Sequence, residues 1–136
     1  VVRRMARDLD IAIEIVACPT VREADGLALS SRNVRLSPAE RAIAPKLAEI
    51  LVATSRRLAA GADVEAALAE AGAAVVAAGF DGVEYLELRA EDDLAPLDGL
   101  SRPARLLVAA WLGETRLIDN VEVRERPERH GTVAAA

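Results

Sequence analysis

The 136 residues carry 17 Lys and Arg against 22 Asp and Glu, a formal charge of −5; with no net positive field to displace counterions from a phosphate backbone, this argues against nucleic acid as a partner. Hydrophobic residues reach 52% while aromatics are only 2%, so one domain must build its core from Ala, Val, Leu and Ile. A single cysteine cannot form an internal disulfide and no apolar run can span a bilayer, so the expectation is a soluble, cytoplasmic protein without a membrane.

At the start, Val1, Val2, Met5 and Leu9 fall on one helical face and Arg3, Arg4 and Arg7 elsewhere. The pattern opens without an N-cap. Residues 1–10 are therefore expected to be the end helix of a preceding domain, their orphaned apolar face either pairing with a second copy or fraying before Asp10. Ile13 to Val16 reads as a strand stopped by Pro19, with Cys18 a small buried hydrophobe beside it. A polar loop, Arg22-Glu23-Ala24-Asp25-Gly26, follows; Asp25-Gly26 predicts a turn, because Gly tolerates positive φ and Asp bonds nearby backbone. The cluster Ser30-Ser31-Arg32-Asn33 then leads to Ser37-Pro38-Ala39-Glu40, a helix start with a capping box and Pro at the first helical position.

Ile43, Leu47, Ile50, Leu51, Thr54 and Leu58 share the inner face of a helix from Ser37 to Ala60, which Pro45 kinks or splits and Gly61 stops. Asp63 caps a second helix with Val64, Leu68, Ala71, Val75 and Val76 inward and Gly79 at its end. The pattern then alternates. Val83 to Arg89 is a strand; Glu91 to Pro103 is an acidic, turn-rich connection; Ala104 to Leu112 is apolar on both faces and therefore central, with Trp111 in the core. Gly113-Glu114 predicts a two-residue type II′ link to a third strand, Thr115 to Asp119. The fold class is α+β: a small three-stranded antiparallel sheet covered by helices. Residues 11–123 form this domain and 124–136, containing the lone His130, an aperiodic mobile tail with no metal site.

Two hydroxyls and a guanidinium on the turn at Ser30-Ser31-Arg32 suit an anionic ligand, Ser offering rotatable donors and Arg a rigid fork for phosphate oxygens. From residue chemistry alone an ordinary solvated loop is the stronger reading. The run R-E-A-D-G-L-A-L-S-S-R-N, Arg22 to Asn33, preceded by Ile15 to Val21 and joined far downstream by T-R-L-I-D-N, Thr115 to Asn120, resembles the pantothenate synthetase (pantoate–β-alanine ligase) family over roughly residues 1–123. The resemblance implies a nucleotidyltransferase-type Rossmann ligase of which this chain is the C-terminal lid domain. It implies ATP, with Mg2+ bound to it, as the energy source, and pantoate and β-alanine joined through pantoyl adenylate with release of pyrophosphate. Val21, Leu29, Ser30, Ser31 and Arg32 carry over as ATP-binding residues, Ser-Ser-Arg resembling in role the K-M-S-K-S loop of related adenylating enzymes.

The departures are specific. The family's H-x-G-H motif needs two histidines and this chain has one; the pantoate-holding glutamines and the lysine loop also have no counterpart. Arg35 stands where the family usually has Tyr. No catalytic residue is therefore expected in these 136 residues and the isolated chain is expected to be inactive, while the parent would be a homodimer. Two other readings stay open: a stand-alone nucleotide-binding or regulatory module, and a non-catalytic structural domain. Arg116 and Asp119, within the second resembling segment, are explained equally well by an ordinary edge-strand ion pair.

Overall fold

A computed structural model describes residues 1–124. The elements run α1 (Val2–Asp8), a short 3₁₀ helix (Ser31–Arg35), α2 (Pro38–Ile43), α3 (Lys46–Ala59), α4 (Val64–Ala77), β1 (Gly82–Ala90), β2 (Ala104–Leu112) and β3 (Thr115–Val123). The strands form one antiparallel sheet in the order β1-β2-β3, the α+β arrangement expected, with the doubly apolar strand at its centre. β3 runs four residues further than Asp119 because its ladder with β2 continues to Val123 opposite Ala104.

Local chemistry sets the helix ends. Ser37 Oγ accepts from the Glu40 amide at 3.3 Å and Glu40 Oε2 accepts from the Ser37 amide at 2.7 Å, completing the capping box. Pro45 splits the predicted long helix into α2 and α3, since it can neither donate a bond nor avoid the preceding turn. Asp63 Oδ1 caps α4 by accepting from the Ala66 amide at 2.8 Å. The β2–β3 link has Gly113 at φ +56°, as its type II′ reading requires. A side chain at Gly113 would run into the Glu40 carboxylate of the capping box.

α3 and α4 cover one face of the sheet. Leu47, Leu51, Leu58, Val64, Ala67 and Val75 pack there against Leu88, Leu106, Val108, Leu112, Leu117 and Val123, all buried. Thr54, the one polar residue of the α3 stripe, bonds back to the Ile50 carbonyl at 2.8 Å. None of the described α-helices lies on the opposite face of the sheet, and several expectations are corrected. Trp111, expected in the core, is 40% exposed, because alternation turns it to the uncovered side, across from Arg116. Val76, expected inward, is exposed: the inward stripe of α4 runs Val64, Ala67, Ala71, Val75, and the following residue lies about 100° further round. Ile13 to Val16 is not a strand; no described segment pairs with it, and Ile13 and Val16 are 60% and 71% exposed. Cys18 on the same segment is exposed rather than buried. α1 is helical as expected, with Val1, Val2, Met5 and Leu9 exposed. The expected tail lies, apart from Arg124, outside the described residues, as does His130.

Candidate functional site

The polar loop is a miniature hairpin. Leu29 N–H donates to the Val21 carbonyl at 2.9 Å, Glu23 N–H to the Leu27 carbonyl at 2.8 Å, and Arg22 bridges to Ala28. Its tip is the predicted turn: Gly26 has φ +90° and Asp25 Oδ1 accepts from the Leu27 amide at 3.2 Å. Leu27 is buried in the core and anchors the hairpin. The chain then enters the 3₁₀ helix, where Ser30 Oγ accepts from the Arg32 amide at 3.2 Å and Asn33 is the one buried residue.

Three side chains staple this loop to the rest of the fold. The Arg22 guanidinium makes a two-pronged pair with Asp119 on β3, at 2.7 and 2.9 Å, and also donates to the Gly26 carbonyl at 3.0 Å. Asp119 is only 3% exposed, and its partnership raises Arg22 above its ordinary value, mainly through the hydrogen bond itself. From α2, Arg41 donates to Asp25 at 2.6 Å and to Glu23 at 2.8 Å. Asn33 Nδ2 donates to Glu23 Oε1 at 2.8 Å and to the Ala28 carbonyl at 3.1 Å. The Asn33 bond first and the Arg41 bond second hold the Glu23 carboxyl below its usual range, and the Arg41 bond does the same for Asp25.

Between this loop and β3 lies a cleft of about 290 Å³, lined by Leu29, Ser30, Arg32 and Asn33 on one side and by residues 116–120, Tyr85 and Leu107 on the other. Of the five residues expected to contact ATP, it brings together Leu29, Ser30 and Arg32; Val21 and Ser31 lie outside its lining, both exposed. The arginines around the cleft differ in one respect. Arg22 and Arg41 are spent on the staples above, and Arg116 is spent on Glu84, at 2.7 and 2.9 Å, while lying 5.8 Å above the Tyr85 ring. The Glu84 pairing holds that carboxyl below its usual range. The Arg32 guanidinium alone among these makes no hydrogen bond or ion pair with any described residue. Arg35 lies in a separate hollow with Glu40, Glu114 and Thr115. At the cleft the arrangement offers an uncommitted guanidinium and a hydroxyl, Arg32 and Ser30, beside an Arg116 already paired, a receptor for a single polyanionic group.

From sequence, an edge-strand ion pair explained Arg116 and Asp119 as well as the resemblance did. Each is paired, but with Glu84 and Arg22 respectively. The Arg22–Asp119 bridge joins residues 97 apart, so no local pattern shows it. One signal pointed there: the two segments that carried the family resemblance are the two that touch.

Comparison with known proteins decides the family. The model of the family described as pantoate-beta-alanine ligase matches residues 1–122. The chain belongs to that family. It is similar to the pantothenate synthetase of Chelativorans sp. (strain BNC1), at 67% identity over 125 residues, 92% of this chain and 44% of that protein. A second relative, the pantothenate synthetase of Ruegeria sp. (strain TM1040), is 55% identical over 90% of this chain and 44% of its own length. Among solved structures, a pantothenate synthetase from Thermus thermophilus superposes with a TM-score of 0.82 at 46% identity, over 90% of this chain and 44% of that one. The pantoate-beta-alanine ligase of Francisella tularensis, solved in complex with Beta-gamma ATP and Beta-alanine, superposes with a TM-score of 0.60 at 29% identity, covering 88% of this chain and 37% of its own. The chain thus spans under half the length of the relatives it matches.

Proposed function

We propose that this chain is the C-terminal, ATP-gripping part of a cytoplasmic pantothenate synthetase, residues 1–10 being the end helix of a preceding domain and 11–123 the lid. In that enzyme a pantoate carboxylate oxygen attacks the α-phosphorus of ATP, the bond to pyrophosphate breaks, and pantoyl adenylate forms. The amine of β-alanine then attacks the acyl carbon, AMP departs and the amine loses a proton. The observation that carries the reading is the uncommitted Arg32 guanidinium, set beside Ser30 in the cleft while Arg22, Arg41 and Arg116 are all engaged. Donors fixed where pyrophosphate leaves oppose the charge that develops in the transition state. Ser31 and the apolar residues Val21 and Leu29 complete the ATP contacts once the rest of the ligase closes on the loop.

Among the described residues there is no group of three or more His, Cys, Asp or Glu able to hold a metal. In this reading magnesium arrives on the ATP phosphates, which suits an ion that keeps its waters and few protein ligands. No described helix is long and apolar enough to cross a membrane. The chain alone does not turn over, since the H-x-G-H chemistry belongs to the remainder of the ligase, and the complete enzyme is a homodimer.

The test is pyrophosphate release in a single turnover with pantoate and ATP, in a complete synthetase containing this chain. Arg32→Ala is expected to slow adenylate formation about 10²–10³-fold, with Arg32→Lys recovering part of the loss and an unchanged thermal melt. Near-normal release from a folded Arg32→Ala enzyme would overturn the reading.

A further inference from the structure

The backbone that carries Arg32 is held by a closed ring of contacts. From Asn33 the chain runs through Leu36 into the capping box at Ser37 and on to Arg41 in α2. Arg41 then reaches back: one of its nitrogens donates to Glu23 Oε2 at 2.8 Å, the other to Asp25 at 2.6 Å. Glu23 uses its second oxygen to accept from Asn33 Nδ2 at 2.8 Å, and the remaining Asn33 amide hydrogen goes to the Ala28 carbonyl at 3.1 Å. The ring therefore starts and ends on the residue next to Arg32. α2 is itself short and fixed at both ends, by the capping box before it and Pro45 after it.

We propose that Arg41 is the positioning residue of the Ser30–Arg32 turn, fixing it through Glu23 and Asn33 so that the Arg32 head stays free for a triphosphate. The inference rests on the ATP reading above and adds a residue that touches no substrate. Stability gives such a network little reason to exist: Arg41 and Glu23 are each about 30% exposed, and ion pairs this accessible contribute little to folding. What the ring supplies is a rigid backbone beneath an unencumbered side chain, which lowers the ordering cost of gripping a ligand. Glu23 is the hinge of the relay because it alone has an oxygen for each neighbour.

The experiment is an NMR titration of a complete synthetase containing this chain with ATP and, separately, with inorganic tripolyphosphate, followed at the Ser30–Arg32 amides and the Arg32 Nε–H. Millimolar affinities are readable this way, and the same spectra report whether each variant is folded. Arg41→Ala and Glu23→Gln are each expected to weaken both ligands about tenfold, the cost of losing one charged hydrogen bond. Arg41→Lys should fall between, because a point charge cannot span Glu23 and Asp25 as a planar fork does. A role confined to stability would lower the melting temperature and leave affinity well below it untouched. If Arg41→Ala fails to fold, the isosteric Glu23→Gln carries the test, since its NH2 group sets a donor against a donor at either Asn33 or Arg41. Binding lost in Arg32→Ala but unchanged in Arg41→Ala and Glu23→Gln would overturn the relay and leave the ATP reading standing. No shift at Ser30–Arg32 in the unmodified complete enzyme would overturn both.

Discussion

Residues 11–21 and 22–36 adjoin in sequence and behave in opposite ways. The first stretch is apolar and uncovered: Ile11, Ile13, Val16 and Val21 are all exposed, and its few bonds include Ile11 N–H to Ala6, Ile13 N–H to Ile11 and Arg3 Nε to Ile15. The second is charged and held, with Arg22, Glu23, Asp25 and Asn33 each bonded across the fold. Hydrophobicity creates a demand for cover; it does not by itself supply one. Polar residues with partners on β3 and α2 are fixed more firmly than aliphatic residues with none.

That contrast can be broken from the polar side first. Arg22→Ala leaves Asp119 buried without its counter-charge; removing one member of a fully buried pair costs about 3–5 kcal/mol, and with Arg22 a quarter exposed the loss should fall toward the lower end. Chemical denaturation should show a loss of this size with an unchanged slope against denaturant; a loss below about 0.5 kcal/mol, the range of ordinary surface changes, would mean the loop is not held as described. A smaller effect comes from acid. The Glu23 and Asp25 carboxyls are held below their ordinary values of 4.5 and 3.8. Their contribution is therefore complete above those values and is lost as pH falls through the lowered folded ones. Carbon-13 titration of the two carboxyls should give midpoints under the ordinary values, and midpoints at or above them would dissolve the Arg41 staple. The smallest effect lies on the apolar side: Ile13→Ser should change the stability of this chain by no more than about 0.5 kcal/mol, since it uncovers nothing already covered. An Ile13→Ser loss matching that of Arg22→Ala in the same denaturation series would erase the distinction between the two stretches.

What sequence could show follows the range of each interaction. The capping box at Ser37, the split at Pro45, the cap at Asp63 and the turns at Asp25-Gly26 and Gly113-Glu114 depend on residues a few positions apart, and all are present. The central place of β2 followed from its apolar content. Trp111 and Cys18 were misplaced because burial depends on what lies opposite, and neither the bare face of the sheet nor the unpaired segment 11–20 has a local signature. Of the residues lining the cleft, Leu29, Ser30 and Arg32 were singled out through the resemblance. Arg41 was not, since a helix arginine acquires its meaning only when a loop 16 and 18 residues earlier folds back onto it.

The bare face of the sheet also gives the molecule its own optical probe. Trp111 is the single tryptophan, two-fifths exposed and paired across the ladder with Arg116, which lines the cleft. Its indole is therefore partly in water, so its emission should lie to the red of a core tryptophan and be open to dissolved quenchers. Anything that settles on this face, whether another domain or a second copy, would dry the ring, shift the emission to the blue and shield it from iodide. Anything confined to the helical side would leave it unchanged. One residue displaced from the core thus reads out, without a label, which side of the sheet is in use.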